Sequence, residues 1–134
     1  MKLTFPFEPE TSGLFGHVYR PVIQCDFWSL RLQKWITIDT LIDTGADYSL
    51  LPHFLAYNLG IDLKKDCKRI QTMGVGGGET VYFYPKCKIH LGRRSFFIPL
   101  GFLSHDDIPA LLGRQECLDR FKILLDKRKT TLWI

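Results

Sequence analysis

Apolar residues fall mainly in short segments that are separated by glycine, proline and charged residues. In several segments they alternate with polar residues, which is typical of strands buried on one face. The predicted strands are residues 18–27, 30–42, 81–84, 87–91, 95–100, 110–114, 123–125 and 130–134, and the last two form a hairpin. The pattern therefore predicts an all-β, barrel-like domain of about eight strands.

Two short segments have helical features. Pro52 fits the first position of a helix and Gly60 suits its end, whereas Leu118 and Phe121 share one side of residues 115–121 at helical spacing. We therefore expect two short helices beside the strands. The segments expected to lack regular structure are residues 1–13 (an irregular arm or short edge strand), 61–69 and 101–109.

Size and composition narrow the class of protein. The chain of 134 residues suffices for one domain with a real core, and 46% hydrophobic residues is ordinary for a globular protein. The net charge of +4 is too diffuse to indicate a nucleic-acid partner. No segment has the length of a membrane span, and residues 1–7 lack the apolar run of a signal peptide. We expect no membrane association.

The four cysteines and four histidines are scattered, with no Cys-x-x-Cys pair and no histidine at zinc spacing. The sequence therefore predicts no metal site and no cofactor. Because no signal peptide or membrane span is expected, we predict a cytoplasmic protein whose cysteines are reduced thiols.

Residues 41–52 contain the strongest candidate for chemistry. Asp43 lies between apolar segments, and a carboxylate in such a frame is costly to ionise unless it is hydrogen-bonded or has a chemical task. Gly45 permits a tight loop in which backbone N–H groups approach that carboxylate, and Thr44 offers a hydroxyl. The plain alternative is an ordinary turn between two strands, but the apolar frame favours a functional acid.

A second unusual segment is glycine-rich, with Gly74 and the glycines at 76–78 followed by Glu79-Thr80 and a β-rich stretch. A phosphate-binding loop would need a helix and Lys-Ser or Lys-Thr after the last glycine, so the pattern disfavours a nucleotide site. It indicates a hairpin tip, which in a functional form would close over a ligand.

The run Ile42-Asp43-Thr44-Gly45-Ala46 resembles the active-site loop of the retropepsin-like aspartic proteases, the retroviral proteases and their bacterial and eukaryotic cellular relatives. Later features follow in the order of that family. Gly74-Val75-Gly76-Gly77 resembles the flap hairpin. Leu111-Leu112-Gly113-Arg114 resembles the two apolar residues, Gly and Arg that precede a short helix in the family, and residues 122–134 resemble its closing strands. One departure is Gln115, where the family usually has Asp or Asn.

The resemblance implies a retropepsin-like closed β-barrel, with residues 1–17 as an N-terminal arm and candidate intersubunit strand and residues 18–134 as the single domain. It implies an aspartic endopeptidase that hydrolyses peptide bonds as a homodimer. Because the sequence holds one Asp-Thr-Gly, the second carboxylate must come from another copy. The residues so implied are catalytic Asp43; supporting Thr44, Gly45 and Arg114, the last an ion-pair partner of Asp47; and substrate-binding Ala46, Asp47, Gly74, Val75, Gly76 and Gly77.

Two alternatives stay open at this point. The chain could be a catalytically silent retropepsin-fold module that dimerises or binds peptides, because a fold does not fix a function. It could also be an unrelated small β-barrel that binds nucleic acid through its mild basicity.

Overall fold

The computed structural model describes residues 1–74 and 77–134. Within these residues the chain forms twelve strands, one α-helix and a short 3₁₀ helix. The elements are β1 (Lys2–Pro6), β2 (Glu8–Ser12), β3 (Gly16–Arg20), β4 (Val22–Ser29), β5 (Lys34–Ile42), β6 (Ser49–Leu51), α1 (Phe54–Leu59), β7 (Lys68–Gly74), β8 (Gly77–Leu91), β9 (Arg94–Leu103), β10 (Leu111–Leu112), the 3₁₀ helix (Leu118–Arg120), β11 (Lys122–Asp126) and β12 (Lys129–Trp133). In these ranges no helix is long and apolar enough to cross a bilayer.

One seven-stranded sheet positions the core, in the order β4-β5-β10-β6-β9-β8-β7. An additional antiparallel pairing of β4 with β8 closes six of these strands into a ring. Alternate residues of β4, namely Ile23, Cys25 and Phe27, point inward and are at most 1% exposed. Leu100 and Phe102 of β9 are fully buried with them. The predicted all-β class with a closed sheet is confirmed.

The strand boundaries differ from the predicted ones where local signals are weak. Pro21 separates β3 from β4, so the segment predicted as one strand forms two. The loop predicted from residue 101 is wrong at its start, because β9 continues to Leu103. The helix predicted over residues 115–121 is reduced to the 3₁₀ helix. The predicted α-helix is present, and Gly60 ends it with a left-handed φ of 73°.

The N-terminal arm is more regular than predicted. Strands β2 and β3 form a separate hairpin, and β1 pairs with β12, which also pairs with β11. Leu3 and Phe5 of β1 pack against the core from this three-stranded sheet. Because β12 has a strand on both sides, a strand from a second subunit could join this sheet only at β1 or β11. The intersubunit role of the arm stays a prediction.

Burial controls the chemistry of the cysteines, all of which carry free thiols. Burial raises the pKa of Cys87 and of Cys117 to about 12, and it raises the pKa of Cys25 well above its ordinary value. Half-buried Cys67 has a pKa raised to about 11, first by burial and then by Asp66 and Asp62. The folded chain therefore keeps its thiols protonated where an unfolded chain would ionise them.

This difference predicts a loss of stability in alkali. A thiol whose pKa is raised by folding stabilises the protein fully below its unfolded pKa, and that contribution is lost as the pH rises towards the folded value. Between about pH 9 and pH 10 the wild type should therefore lose about 1 kcal/mol more unfolding free energy than Cys87→Ala. Urea unfolding of both proteins across this range checks the result. Equal losses would mean that the Cys87 thiol ionises as readily in the folded chain.

Candidate active site

Asp43 follows the last residue of β5 and opens the loop of residues 43–48, which we call the Asp43 loop. Although β5 and β6 are consecutive in sequence, β10 lies between them. It runs parallel to β5, with Leu112 beside Ile42, and the Asp43 N–H donates a hydrogen bond to the Leu112 carbonyl over 3.0 Å. Ile42 and Leu112 are buried, so Asp43 lies at the edge of the core, directly after β5 and hydrogen-bonded to β10.

The Asp43 loop is folded around the Asp43 residue itself. The Gly45 N–H donates to Oδ1 of Asp43 over 3.0 Å, and the Ala46 N–H donates to the Asp43 carbonyl over 3.2 Å. A Cβ on Gly45 would lie 3.3 Å from the same Oδ1, so the glycine allows this close approach. Asp43 and Ala46 are half-buried, whereas Thr44 and Gly45 are exposed. The carboxylate is thus oriented by the main chain without being enclosed.

Residues 113–115 hold the other side of the Asp43 loop. Arg114 Nη2 lies 3.0 Å from Asp47 Oδ1, and the Arg114 N–H donates to the Ala46 carbonyl over 3.0 Å. The Gln115 N–H donates to the Asp47 carbonyl over 2.7 Å. The ion pair is exposed on both sides and contributes at most about 1 kcal/mol, so its main effect is on geometry. The predicted ion pair is present; the role of Arg114 in supporting catalysis stays a prediction.

Ser49 supports the site, although no role was predicted for it. It is fully buried, and its Oγ accepts a hydrogen bond of 3.1 Å from the Gly113 N–H, which connects β6 to the end of β10. The signal in the sequence is that Ser49 lies where retropepsin-like proteases often have Ser or Thr. The bond links the segments on the two sides of the Asp43 loop.

Tyr48 joins the Asp43 loop to a neighbouring hairpin. Its ring packs edge-to-face on Phe83 of β8, with centroids 5.8 Å apart. Burial, and then the charge of Asp47, raises the pKa of the Tyr48 phenol above its ordinary value. The contact places the root of the hairpin beside the loop that carries Asp43.

This hairpin consists of β7 and the first half of β8, residues 68–74 and 77–83, and we call it the hairpin arm. Its two strands pair in register from Lys68 opposite Phe83 to Gly74 opposite Gly77. Gly77 has a φ of 117°, which favours glycine. The predicted hairpin exists, with Gly74 and Gly77 in its last strand pair. Val75 and Gly76, predicted to bind substrate, lie outside the described residues.

The structure thus assembles part of the predicted site within the single chain. It brings the Asp43 loop together with residues 113–115, and it puts the hairpin arm against Tyr48. Among the residues it describes, no group of three or more His, Cys, Asp or Glu is placed to hold a metal ion. One half-buried acid in an open loop can accept a proton, and acid–base catalysis by a carboxyl pair would need a second acid.

Six strands close into a ring, β10 lies between β5 and β6, and Asp43 directly follows β5. No protein-family model matches the chain, and no curated protein matches it in sequence. Solved structures do match it. A crystal structure of a retropepsin-like aspartic protease from Rickettsia conorii is 24% identical, with a TM-score of 0.72, over 98% of this chain and 89% of that chain.

A second match is the EIAV protease in complex with an inhibitor. It is 23% identical, with a TM-score of 0.51, over 78% of this chain and 88% of that chain. Likeness at these identities shows the fold, and the predicted resemblance to retropepsin-like aspartic proteases is confirmed at that level. The alternative of an unrelated small β-barrel is therefore wrong.

Proposed function

We propose that the protein is an aspartic endopeptidase that hydrolyses peptide bonds as a homodimer. The observation that carries the proposal is the position of Asp43 in this fold. Its carboxylate is held by the Gly45 N–H at the end of a core strand and remains partly open to solvent. An acid kept accessible and oriented in this way is suited to reaction rather than to stabilising the fold.

The chemistry requires a second carboxylate, and we assign it to Asp43 of a second copy. Two carboxyl groups about 3 Å apart share one proton, because they cannot both ionise. The ionised member removes a proton from a water molecule as that water attacks the peptide carbonyl, and the protonated member donates to the developing oxyanion. Within one chain no other aspartate is followed by Thr-Gly or Ser-Gly.

The neighbouring residues then take the roles that the resemblance implies. Exposed Thr44 would brace the two Asp43 loops across the two-fold axis through its hydroxyl. Ala46 and Asp47 would line the cleft for an extended peptide, with Asp47 held by Arg114. The end of the hairpin arm would cover the peptide and bind its main chain, as an added strand does. We further propose a cytoplasmic location, which the free thiols support.

Gln115, the departure from the family pattern, would favour a silent dimerisation or peptide-binding module if it loosened the Asp43 loop. In the structure Gln115 holds the Asp43 loop through its main-chain N–H, which any residue except proline supplies. This departure from the family pattern therefore leaves the geometry of the loop in place. No observed contact favours the silent module over the protease.

Cleavage of a peptide library at mildly acidic pH, combined with sedimentation, tests the proposal. Because each active unit needs two chains, activity should rise with the square of protein concentration where the protein is mostly monomeric, and linearly once dimers predominate. A pepstatin-like inhibitor should block it. Activity strictly proportional to concentration across the sedimentation-defined monomer range would contradict a site made by two chains. A stable dimer that cleaves no peptide would support the silent module.

A further inference from the structure

Where the hairpin arm leaves the sheet, one side-chain pair adds to the strand ladder that holds its root. The β8–β9 ladder ends at Val81 opposite Leu103. Glu79, two residues before Val81, faces His105, two residues after Leu103. From Gly77 to Thr80, the described part of β8 pairs only with β7. His105 Nε2 lies 2.5 Å from Glu79 Oε1, and both side chains are about one-third exposed. This contact is where the arm leaves the body of the sheet.

The His105 ring is oriented by its own loop, residues 104–109. Nδ1 lies 3.3 Å from the Asp107 N–H, so it acts as the acceptor there and the proton sits on Nε2. Nε2–H then donates to Glu79, and a neutral imidazole satisfies both bonds. The other charged group near the ring is the Asp107 carboxylate, with Oδ2 3.8 Å from Nδ1. The loop thus orients the imidazole with Nε2 towards Glu79.

The loop is in turn fixed to the start of α1. The His53 N–H donates to the His105 carbonyl over 3.2 Å, and the Phe54 N–H donates to Asp106 Oδ1 over 2.8 Å. The chain of contacts therefore runs from α1 through the loop and the imidazole to the hairpin arm. Each link is a directional hydrogen bond, so a shift of the arm at Glu79 requires breaking the last one.

We propose that His105 is a positioning residue that holds the hairpin arm in place beside the Asp43 loop by its bond to Glu79. The Tyr48–Phe83 contact and the β8–β9 ladder, which ends at Val81, hold the root of the arm, and the His105–Glu79 bond holds a point nearer the tip. The bond therefore limits movement of the part of the arm that lies beyond Val81. The anchoring itself follows from the geometry; its consequence for catalysis rests on the proposed function.

Hydrogen exchange of the arm amides tests the anchoring without any assay of activity. In His105→Ala we expect exchange of residues 68–73 and 78–83 about threefold to tenfold faster, because the bond to a carboxylate is lost. His105→Gln should return the rate close to that of the wild type, since the glutamine amide donates from nearly the Nε2 position. His17→Ala, an exposed histidine in β3, is the matched control and should not change the rate.

Two further results sharpen this test. Glu79→Ala should accelerate exchange like His105→Ala, and the double variant should be no faster than either single one, because both remove the same bond. Unchanged exchange of β4 amides shows that the variants fold. Wild-type rates in His105→Ala, or failure of His105→Gln to restore them, would overturn the proposal.

A measurement of peptide cleavage separates this proposal from the proposed function. If the protein cleaves peptides, His105→Ala should raise KM about threefold to tenfold with kcat nearly unchanged, and His105→Gln should recover KM. A kcat loss without a KM change would overturn the positioning role. If the wild type cleaves nothing, the proposed function fails, while the exchange measurements still decide whether His105 anchors the arm.

Discussion

Asp43→Asn is expected to lower kcat/KM for peptide cleavage by at least about 10⁴-fold while leaving the fold and the dimer intact. Asparagine keeps the shape of the side chain, and its amide oxygen can still accept the Gly45 N–H bond that orients Asp43. It can neither take a proton from water nor share one with a second carboxyl. Cleavage rates, measured with sedimentation on the same samples, check both parts of the expectation.

The matched control is Asp39→Asn, which changes an exposed aspartate four residues earlier, within β5. Asp39 accepts a hydrogen bond from the Gln24 side chain and should be dispensable for cleavage. Full activity in Asp43→Asn would remove Asp43 from the mechanism. Equal losses in both variants would indicate that damage to β5, rather than lost chemistry, is responsible.

Mixing the two proteins tests whether one site takes an acid from each chain. When equal amounts of wild type and Asp43→Asn exchange subunits at random, about one quarter of the dimers keep both acids. Total activity should therefore fall to about half of that given by the wild-type portion alone. Activity unchanged by the mixing would mean that each chain works with its own acid, which contradicts the homodimeric site.

Sequence patterns predicted the parts of the site that depend on local order. The apolar segment before Asp43 predicted a strand that ends at the acid, and Gly45 predicted the backbone approach seen at Oδ1. The glycines near residue 76 precede a β-rich segment, and this pattern predicted a hairpin tip, but strand β7 on the other side of the glycines was not predicted. These features are set by neighbours in sequence, where periodicity and turn chemistry are strong signals.

The features that the sequence did not predict depend on contacts between distant segments. Strand β10 lies within the strand predicted over residues 110–114, but its place between β5 and β6 follows from packing and was not predicted. The bond from Gly113 to Ser49 spans 64 residues, and the His105–Glu79 bond spans 26. A serine or a histidine in a sequence is consistent with many roles. Its hydrogen-bond partner can be identified only when the strands are placed in register.

Gly113→Ala is expected to destabilise the protein by about 3 kcal/mol or more, because the site has no space for a methyl group. A Cβ at this position would lie 2.4 Å from both the carbonyl carbon and the carbonyl oxygen of Tyr48. Those are backbone atoms of the Asp43 loop, so relief requires moving the loop rather than rotating a side chain. The shift would also strain the Gly113–Ser49 bond, and we expect activity to fall even in the molecules that stay folded.

Gly13→Ala provides the comparison, because a Cβ there meets nothing within 4 Å. It should change the unfolding free energy by less than about 0.5 kcal/mol, since it is a surface substitution in open space. Urea unfolding of both variants gives the difference directly. If the two variants were equally stable, Gly113 could not lie as close to the Tyr48 backbone as the structure has it. The Asp43 loop would then not be held against the segment that follows β10.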